Sequence, residues 1–163
     1  MAFFSKPSGS EWKRHLCFLP STEDQGEINV VFIKHDNLVD KLKKRIDWEE
    51  CIKEIFECQS TTMRLKPHRY VLFRTERFWW TIEKDSKGIT LQRSTTEADV
   101  KDKCKLSSRR GKLFKGRGKD GHKTIGQLIE WLRAGDELNK KYSLLFSNCF
   151  GFVKEVTRFV SGR

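Results

Sequence analysis

The sequence predicts an α+β protein in which helices pack on an antiparallel sheet. Extended runs of β-branched and aromatic residues occupy positions 27–34 and 66–94, whereas apolar residues at 125–132 and 152–160 recur at helical spacing. The chain has 163 residues, of which 37% are hydrophobic and 12% aromatic. This length and composition indicate one ordered domain with an aromatic-rich core.

The domain is expected to span residues 28–163, after an irregular lead-in over residues 1–27. The lead-in carries a concentration of turn-forming residues: Pro7, Ser8, Gly9, Ser10, Pro20 and Ser21. No signal peptide and no apolar run long enough for a membrane span is apparent, so we expect a soluble, cytoplasmic protein without a transmembrane segment.

A strand and a helix are predicted first. Residues 27–34, EINVVFIK, form a β-branched run typical of a buried strand. His35 to Asn37 offers an N-cap for a helix that extends to about Cys58, with a break near Asp47. Its apolar residues fall near helical spacing: Leu38, Leu42, Ile46, Ile52, Ile55 and Phe56.

Three antiparallel strands follow, written PHRYVLFRT, RFWWTIEK and ITLQRS in the sequence. We expect turns near Thr75-Glu76 and, with a glycine, at 85–88. Thr124 then caps a helix with Ile125, Leu128, Ile129 and Leu132 on one face. A short extended run at 142–146 precedes a final helix, whose apolar stripe is Phe152, Val153, Val156, Phe159 and Val160.

A basic segment at 101–123 lies between these parts. It holds ten Lys or Arg and two Asp, a net charge of +8 within a chain of net charge +11. Four glycines and little apolar periodicity predict a mobile loop, and a solvated loop is its simplest interpretation. The alternative is a polyanion site for RNA or an anionic membrane, formed by Arg109, Arg110, Lys112, Lys115, Arg117 and Lys119. For RNA, Phe114, Trp79 or Trp80 would offer stacking platforms.

Cys149 is the candidate nucleophile. Ser147 or Asn148 can cap the final helix, which places Cys149 in its first turn. Unpaired N–H groups and the helix dipole favour an anion there, and such positions generally lower the pKa of a thiol. A small buried cysteine that only packs is the alternative interpretation.

Neither a disulfide framework nor a metal site is indicated. The five cysteines include no CxxC pair, and the four histidines are scattered without ligand spacing. We therefore expect no metal and no cofactor.

Two segments resemble boxes of the lecithin retinol acyltransferase-like (LRAT-like, H-box/NC) family, within the NlpC-type thiol hydrolase superfamily. Residues 148–153, NCFGFV, are similar to its NC box, Asn-Cys-Glu-His-Phe-Val, and residues 68–73, HRYVLF, are similar to its H-box strand. The resemblance covers about residues 65–160. It implies a permuted papain-like arrangement, in which a sheet carrying His68 packs on a helix whose N-terminus carries Cys149.

The family also implies a third polar residue that orients the base, often a second His on the next strand. This sequence has none there, and Glu83 is the best candidate. A hairpin turning symmetrically about Thr75-Glu76 would place Glu83 opposite His68, Thr81 opposite Tyr70 and Trp79 opposite Leu72. An odd loop length would turn Glu83 to the other face, and an exposed acid is the alternative.

The resemblance implies a thiol-dependent acyl-transfer enzyme, of phospholipase or acyltransferase type, with a thioacyl intermediate. Its substrate would be an acyl-ester lipid or similar small molecule, in a groove bordered by Trp79, Tyr70, Tyr142 and Asn148. The alternatives are an NlpC-type cysteine peptidase or amidase, and a non-catalytic binding protein that uses the basic loop. Phe150 and Gly151 depart from the family box, and the chain ends without the family's hydrophobic anchor, although the basic loop would allow peripheral membrane attachment.

Overall fold

A computed structural model describes residues 16–20, 27–32, 46–61, 67–85, 88–104, 107–134 and 149–162. These residues form a mixed α+β structure with an antiparallel sheet, as the sequence predicts. Tyr142, Asn148 and the helix expected before residue 46 lie outside the described residues.

The main sheet has eight strands, in the order β1-β2-β6-β5-β4-β3-β10, with β9 also paired to β3. A small second sheet pairs β7 with β8. The strands are β1 Leu16–Pro20, β2 Glu27–Phe32, β3 Glu54–Thr61, β4 His68–Arg74, β5 Trp79–Asp85, β6 Gly88–Ser94, β7 Lys103–Cys104, β8 Ser107–Ser108, β9 Lys112–Lys115 and β10 Lys119–Asp120.

Strands β4, β5 and β6 confirm the three predicted extended runs, but the first turn lies further along the chain. Residues 75–78 form this turn, closed by the Thr75 N–H, which donates to the Phe78 carbonyl over 3.0 Å. Leu72 consequently pairs with Thr81, and Arg74 with Trp79. The predicted pairing of Leu72 with Trp79 is wrong by two residues, a shift that keeps every side chain on its predicted face.

Three helices are described: α1 Glu97–Lys101, α2 Ile125–Ala134 and α3 Cys149–Ser161. Thr124 caps α2 as predicted, because its Oγ1 accepts from the Gln127 N–H over 3.0 Å. The Gln127 side chain in return accepts from the Thr124 N–H over 2.9 Å, which completes a capping box. The predicted apolar stripe of α3 is buried, apart from the partly buried Phe159.

Two sequence-based assignments are corrected here. Residues 54–58, expected in a helix, belong to strand β3, and Leu16–Pro20 of the expected lead-in forms strand β1 against β2. Strand β3 is buried on both faces, since Ile55 is 0% and its neighbour Phe56 is 7% exposed. Adjacent apolar residues of this kind do not show the alternation of a half-buried strand, so they resemble a helix segment.

The basic segment is also not a mobile loop, because much of it is docked on the sheet. Strands β9 and β10 both pair with the outer edge of β3. Between them the Gly116 N–H donates to the Glu57 carbonyl over 2.9 Å, and a Cβ on Gly116 would lie 2.6 Å from that oxygen. Glycine at this position therefore permits close approach of two backbones.

The sheet separates two apolar clusters. On one face, Val71 and Phe73 of β4 pack with residues of α2 and α3, and we call this the helix face. On the opposite face, Tyr70 and Leu72 pack with Phe56, Cys58 and Val100 of α1, and we call this the α1 face. Helix α3 lies mainly against β4, which brings its first turn to the candidate site.

Candidate active site

The site lies where β4 and β5 separate. Their ladder runs from Arg74–Trp79 to Val71–Ile82. Beyond that point β4 stays paired with β3 as far as His68, while β5 stays paired with β6 as far as Asp85. The side chains of His68 and Glu83 meet across this opening.

Cys149 is the first residue of α3, as predicted, and is 3% exposed. The buried apolar residues of α3 pack this helix against the sheet, so the packing of the whole helix sets the position of the Cys149 thiol. The thiol and the His68 side chain form a hydrogen bond. Helix start and H-box strand are therefore brought together at the start of β4.

Glu83 holds the other side of the imidazole. His68 Nε2 and Glu83 Oε2 are 2.5 Å apart, with the Glu83 side chain 2% and the His68 side chain 31% exposed. Burial opposes the charged imidazolium, but the hydrogen bonds and negative charges of Cys149 and Glu83 outweigh it and raise the pKa of His68 to about 9. These contacts therefore favour the charged imidazolium.

Arg109 anchors Glu83 from the α1 face, through a two-pronged ion pair. Its Nη1 donates to Glu83 Oε2 over 3.3 Å and its Nη2 to Glu83 Oε1 over 3.2 Å. The guanidinium stacks on the Tyr70 ring at 3.6 Å, and its Nε donates to the Lys101 carbonyl over 2.8 Å. Only 3% of the Arg109 side chain is exposed. Charge, stacking and backbone contacts thus fix one orientation of the carboxylate.

This environment keeps Glu83 ionised. Burial alone would raise the pKa of its carboxyl, but the charge of Arg109 and the hydrogen bond and charge of His68 bring that pKa well below its usual range. The result is a line of contacts from Cys149 through His68 and Glu83 to Arg109, which crosses the sheet from the helix face to the α1 face.

The predicted role of Arg109 as a polyanion contact is therefore wrong, because its side chain is buried as the partner of Glu83. Lys115 also has partners within the protein: its Nζ lies 3.2 Å from Glu97 Oε1 and 4.3 Å from the centre of the Phe56 ring. The remaining predicted cations are exposed: Arg110, Lys112, Arg117 and Lys119.

The aromatic predictions divide in a similar way. Tyr70 is fully buried, and its hydroxyl donates to the Lys101 carbonyl over 3.1 Å, so it supports Arg109 and does not border a groove. Trp79 stacks on Phe56 near the opposite end of β5 from Glu83, and Trp80 is fully buried in the helix-face core and offers no stacking platform. Phe114 is exposed, as a stacking residue would have to be.

Two neighbours of the site escape sequence-based reasoning. The Arg69 guanidinium lies 4.5 Å from the centre of the Phe150 ring, on the helix face beside Cys149. From the sequence, Phe150 is only a departure from the family box. For Arg109, no local signal separates it from its neighbour Arg110, because burial depends on contacts far away in the chain.

Comparison of the chain with protein-family models, curated proteins and solved structures gives no match. The resemblance to the LRAT-like family therefore stays a prediction. Among the described residues, no group of three or more His, Cys, Asp or Glu side chains is arranged to hold a metal ion. No helix within those same residues is long and apolar enough to cross a membrane.

Proposed function

We propose that the protein is a thiol-dependent acyl-transfer enzyme, of phospholipase or acyltransferase type, with Cys149 as nucleophile, His68 as acid and base, and Glu83 as the orienting residue. One observation carries the proposal: the His68 ring is hydrogen-bonded to both the Cys149 thiol and the buried Glu83 carboxylate. A nucleophile, a base and a group that orients the base are the parts that covalent acyl transfer requires.

In the resting state proposed here, Cys149 is a thiolate and His68 an imidazolium. The pKa of His68, about 9, reflects the hydrogen bonds and charges of Cys149 and Glu83 against the opposing effect of burial. Because Glu83 contacts Nε2 of the ring, the proposal assigns proton exchange with the sulfur to Nδ1. The N–H groups at the start of α3 favour the sulfur anion as well.

The reaction then proceeds in two steps. The Cys149 sulfur attacks the ester carbonyl carbon, and in this proposal the backbone N–H of Cys149, at the start of α3, donates to the oxyanion. The C–O bond breaks as His68 gives its proton to the leaving alcohol oxygen, which leaves an acyl thioester and a neutral imidazole. His68 next takes a proton from water or an acceptor alcohol, whose oxygen attacks the thioester, and the C–S bond breaks to restore the thiolate.

Thiol labelling tests the nucleophile. Cys51 is an exposed thiol and an internal reference, whereas burial raises the pKa of Cys58 to about 11 against the opposing charges of Arg109 and Lys115. With iodoacetamide at neutral pH, we expect Cys149 to be alkylated faster than Cys51. Exposure alone would make the buried Cys149 the slower of the two, so a faster rate requires an activated sulfur. Peptide mass mapping over time gives both rates in one sample.

The variant His68→Gln should remove this advantage and leave the Cys51 rate unchanged. Cys149 labelling no faster than Cys51 in the wild type would contradict the proposal. The substrate class is tested with a phospholipid, a p-nitrophenyl ester and a matched anilide. A mass increase of one acyl group on Cys149 from either ester supports acyl-ester chemistry, whereas acylation by the anilide alone would favour the amidase.

A further inference from the structure

A row of side chains on the helix face leads from the sheet edge to Cys149. Phe114 of β9 pairs with Gln59 of β3, and Gln59 pairs with Arg69 of β4. Directly paired residues of a sheet project from the same face. Gln59 accepts a hydrogen bond from Arg69 Nε over 3.2 Å, and Arg69 lies over Phe150, next to Cys149 in α3.

Phe114 differs from the rest of this row because 62% of it is exposed to solvent. Among the residues that the structure describes, no other large hydrophobic side chain is exposed. Strand alternation places Lys112 on the same face as Phe114, whereas Lys115 turns to the other face and pairs with Glu97. Arg110 and Arg117 flank the strand and are exposed too.

We propose that Phe114, with Lys112, Arg110 and Arg117 around it, forms an anchor that seats the Cys149 site on an anionic phospholipid surface. We call these four residues the anchor surface. The proposal takes its substrate class, an acyl ester within a lipid, from the proposed function, but the binding itself does not depend on catalysis.

Geometry and charge both fit this partner. Strands are spaced by ~4.8 Å, so Phe114 lies about 10 Å from Arg69 across two strand spacings. An apolar side chain with cations around it binds the interface between headgroups and acyl chains, at a depth of roughly 5–10 Å. A phospholipid ester lies at that depth, and the row that starts at Phe114 ends at Phe150, the residue next to Cys149. Arg69 and Lys112 would then face the lipid phosphates.

The anchor surface is rigid enough for such a role because its strand is docked on the sheet. Gly116 lets the segment after β9 approach the Glu57 carbonyl, and the Thr61 hydroxyl donates to the Lys112 carbonyl over 3.3 Å at the other end of the strand. Phe114 therefore projects from a fixed backbone.

Co-sedimentation with phosphatidylcholine vesicles, with or without phosphatidylserine, tests the proposal. We expect binding only when phosphatidylserine is present, and weakening as salt rises. Phe114→Ser should lower the partition coefficient roughly tenfold or more, from the lost apolar insertion. Lys112→Gln should lower it roughly fivefold, the effect of one cation near an anionic surface. Arg158→Gln removes an equal charge from the exposed last turn of α3 and should leave it unchanged.

Two measurements keep the inference separate from the proposed function. Cys149→Ser should bind vesicles as the wild type does, and Phe114→Ser should keep the wild-type rate of Cys149 alkylation, which also shows that the variant is folded. Vesicle binding that is absent, or equal in Phe114→Ser and wild type, would overturn the anchor surface. Salt-dependent binding to single-stranded RNA that needs Phe114, without vesicle binding, would overturn it in favour of a nucleic-acid interface.

Discussion

Replacement of Arg109 by Met tests whether the buried ion pair holds the site together. The substitution keeps much of the side-chain length but removes the guanidinium that makes two contacts with Glu83. Loss of one partner of a buried pair typically costs about 3–5 kcal/mol, because the other charge stays buried. Glu83 retains its hydrogen bond with His68, so we expect the lower end, about 3 kcal/mol.

Urea unfolding followed by tryptophan fluorescence measures this cost. With a slope of about 2 kcal/mol per molar urea, a loss of 3 kcal/mol lowers the midpoint by about 1.5 M. Arg110→Met is the matched control, since Arg110 is the next residue and is exposed, and it should change the free energy of unfolding by less than about 0.5 kcal/mol. Equal midpoints for the two variants would refute the buried-pair argument.

The double variant Glu83→Gln/Arg109→Met sharpens the result. Because Glu83→Gln removes the charge that Arg109→Met leaves unpaired, the double variant should lose less stability than the sum of the two single variants. Arg109→Lys should recover part of the stability only, since an ammonium supplies neither the two-pronged contact nor the stacking on Tyr70.

Two further predictions concern pH. In the proposed mechanism the leaving alcohol takes its proton from His68, whose pKa is about 9. The rate of ester turnover should therefore fall as pH rises through about 9. The rate of Cys149 alkylation by iodoacetamide should not fall, because alkylation needs only the thiolate. Turnover and labelling that fall together would contradict this role. The pKa of Glu83 lies below its ordinary range, so its ionisation stabilises the fold above about pH 4.5 and that stability is lost as pH falls below it. As pH is lowered from 6 to 3, the urea midpoint should therefore fall more steeply in the wild type than in Glu83→Gln. Parallel curves for the two proteins would contradict the lowered pKa of Glu83.

Sequence patterns succeed here where each has a single structural solution. The helical stripes of α2 and α3 have one face to bury, and the three extended runs of β4 to β6 are bounded by turns, so period alone identifies them. The relation of His68 to Glu83 also survives an error in the turn, because a register shift of two residues preserves the face. The shift does change how His68 and Glu83 meet. Their side chains make contact across the opening between β4 and β5, and the two residues are not paired in the sheet.

The same patterns fail where two structures share one signal. Lysines and glycines without apolar periodicity are typical of a mobile loop, but they are equally typical of a protected edge strand, and β9 and β10 are of the second kind. Neighbouring apolar residues of β3 likewise fit both a helix and a strand buried on both faces. Only pairing with β4, which the local sequence does not encode, decides between them.

Arg109 and Phe114 show why the docking of this basic segment matters for the proposed function. Arg109 reaches Glu83 from the α1 face, whereas Phe114 projects from the helix face, on which Arg69 and Phe150 lie beside Cys149. A mobile loop would present its cations to either face in turn and would leave Glu83 without its ion pair to Arg109. Because β9 is held on β3, the Arg109 side chain is buried against Glu83 while the residues after it stay exposed. In the proposed membrane binding, these exposed residues are the ones that contact the anionic surface.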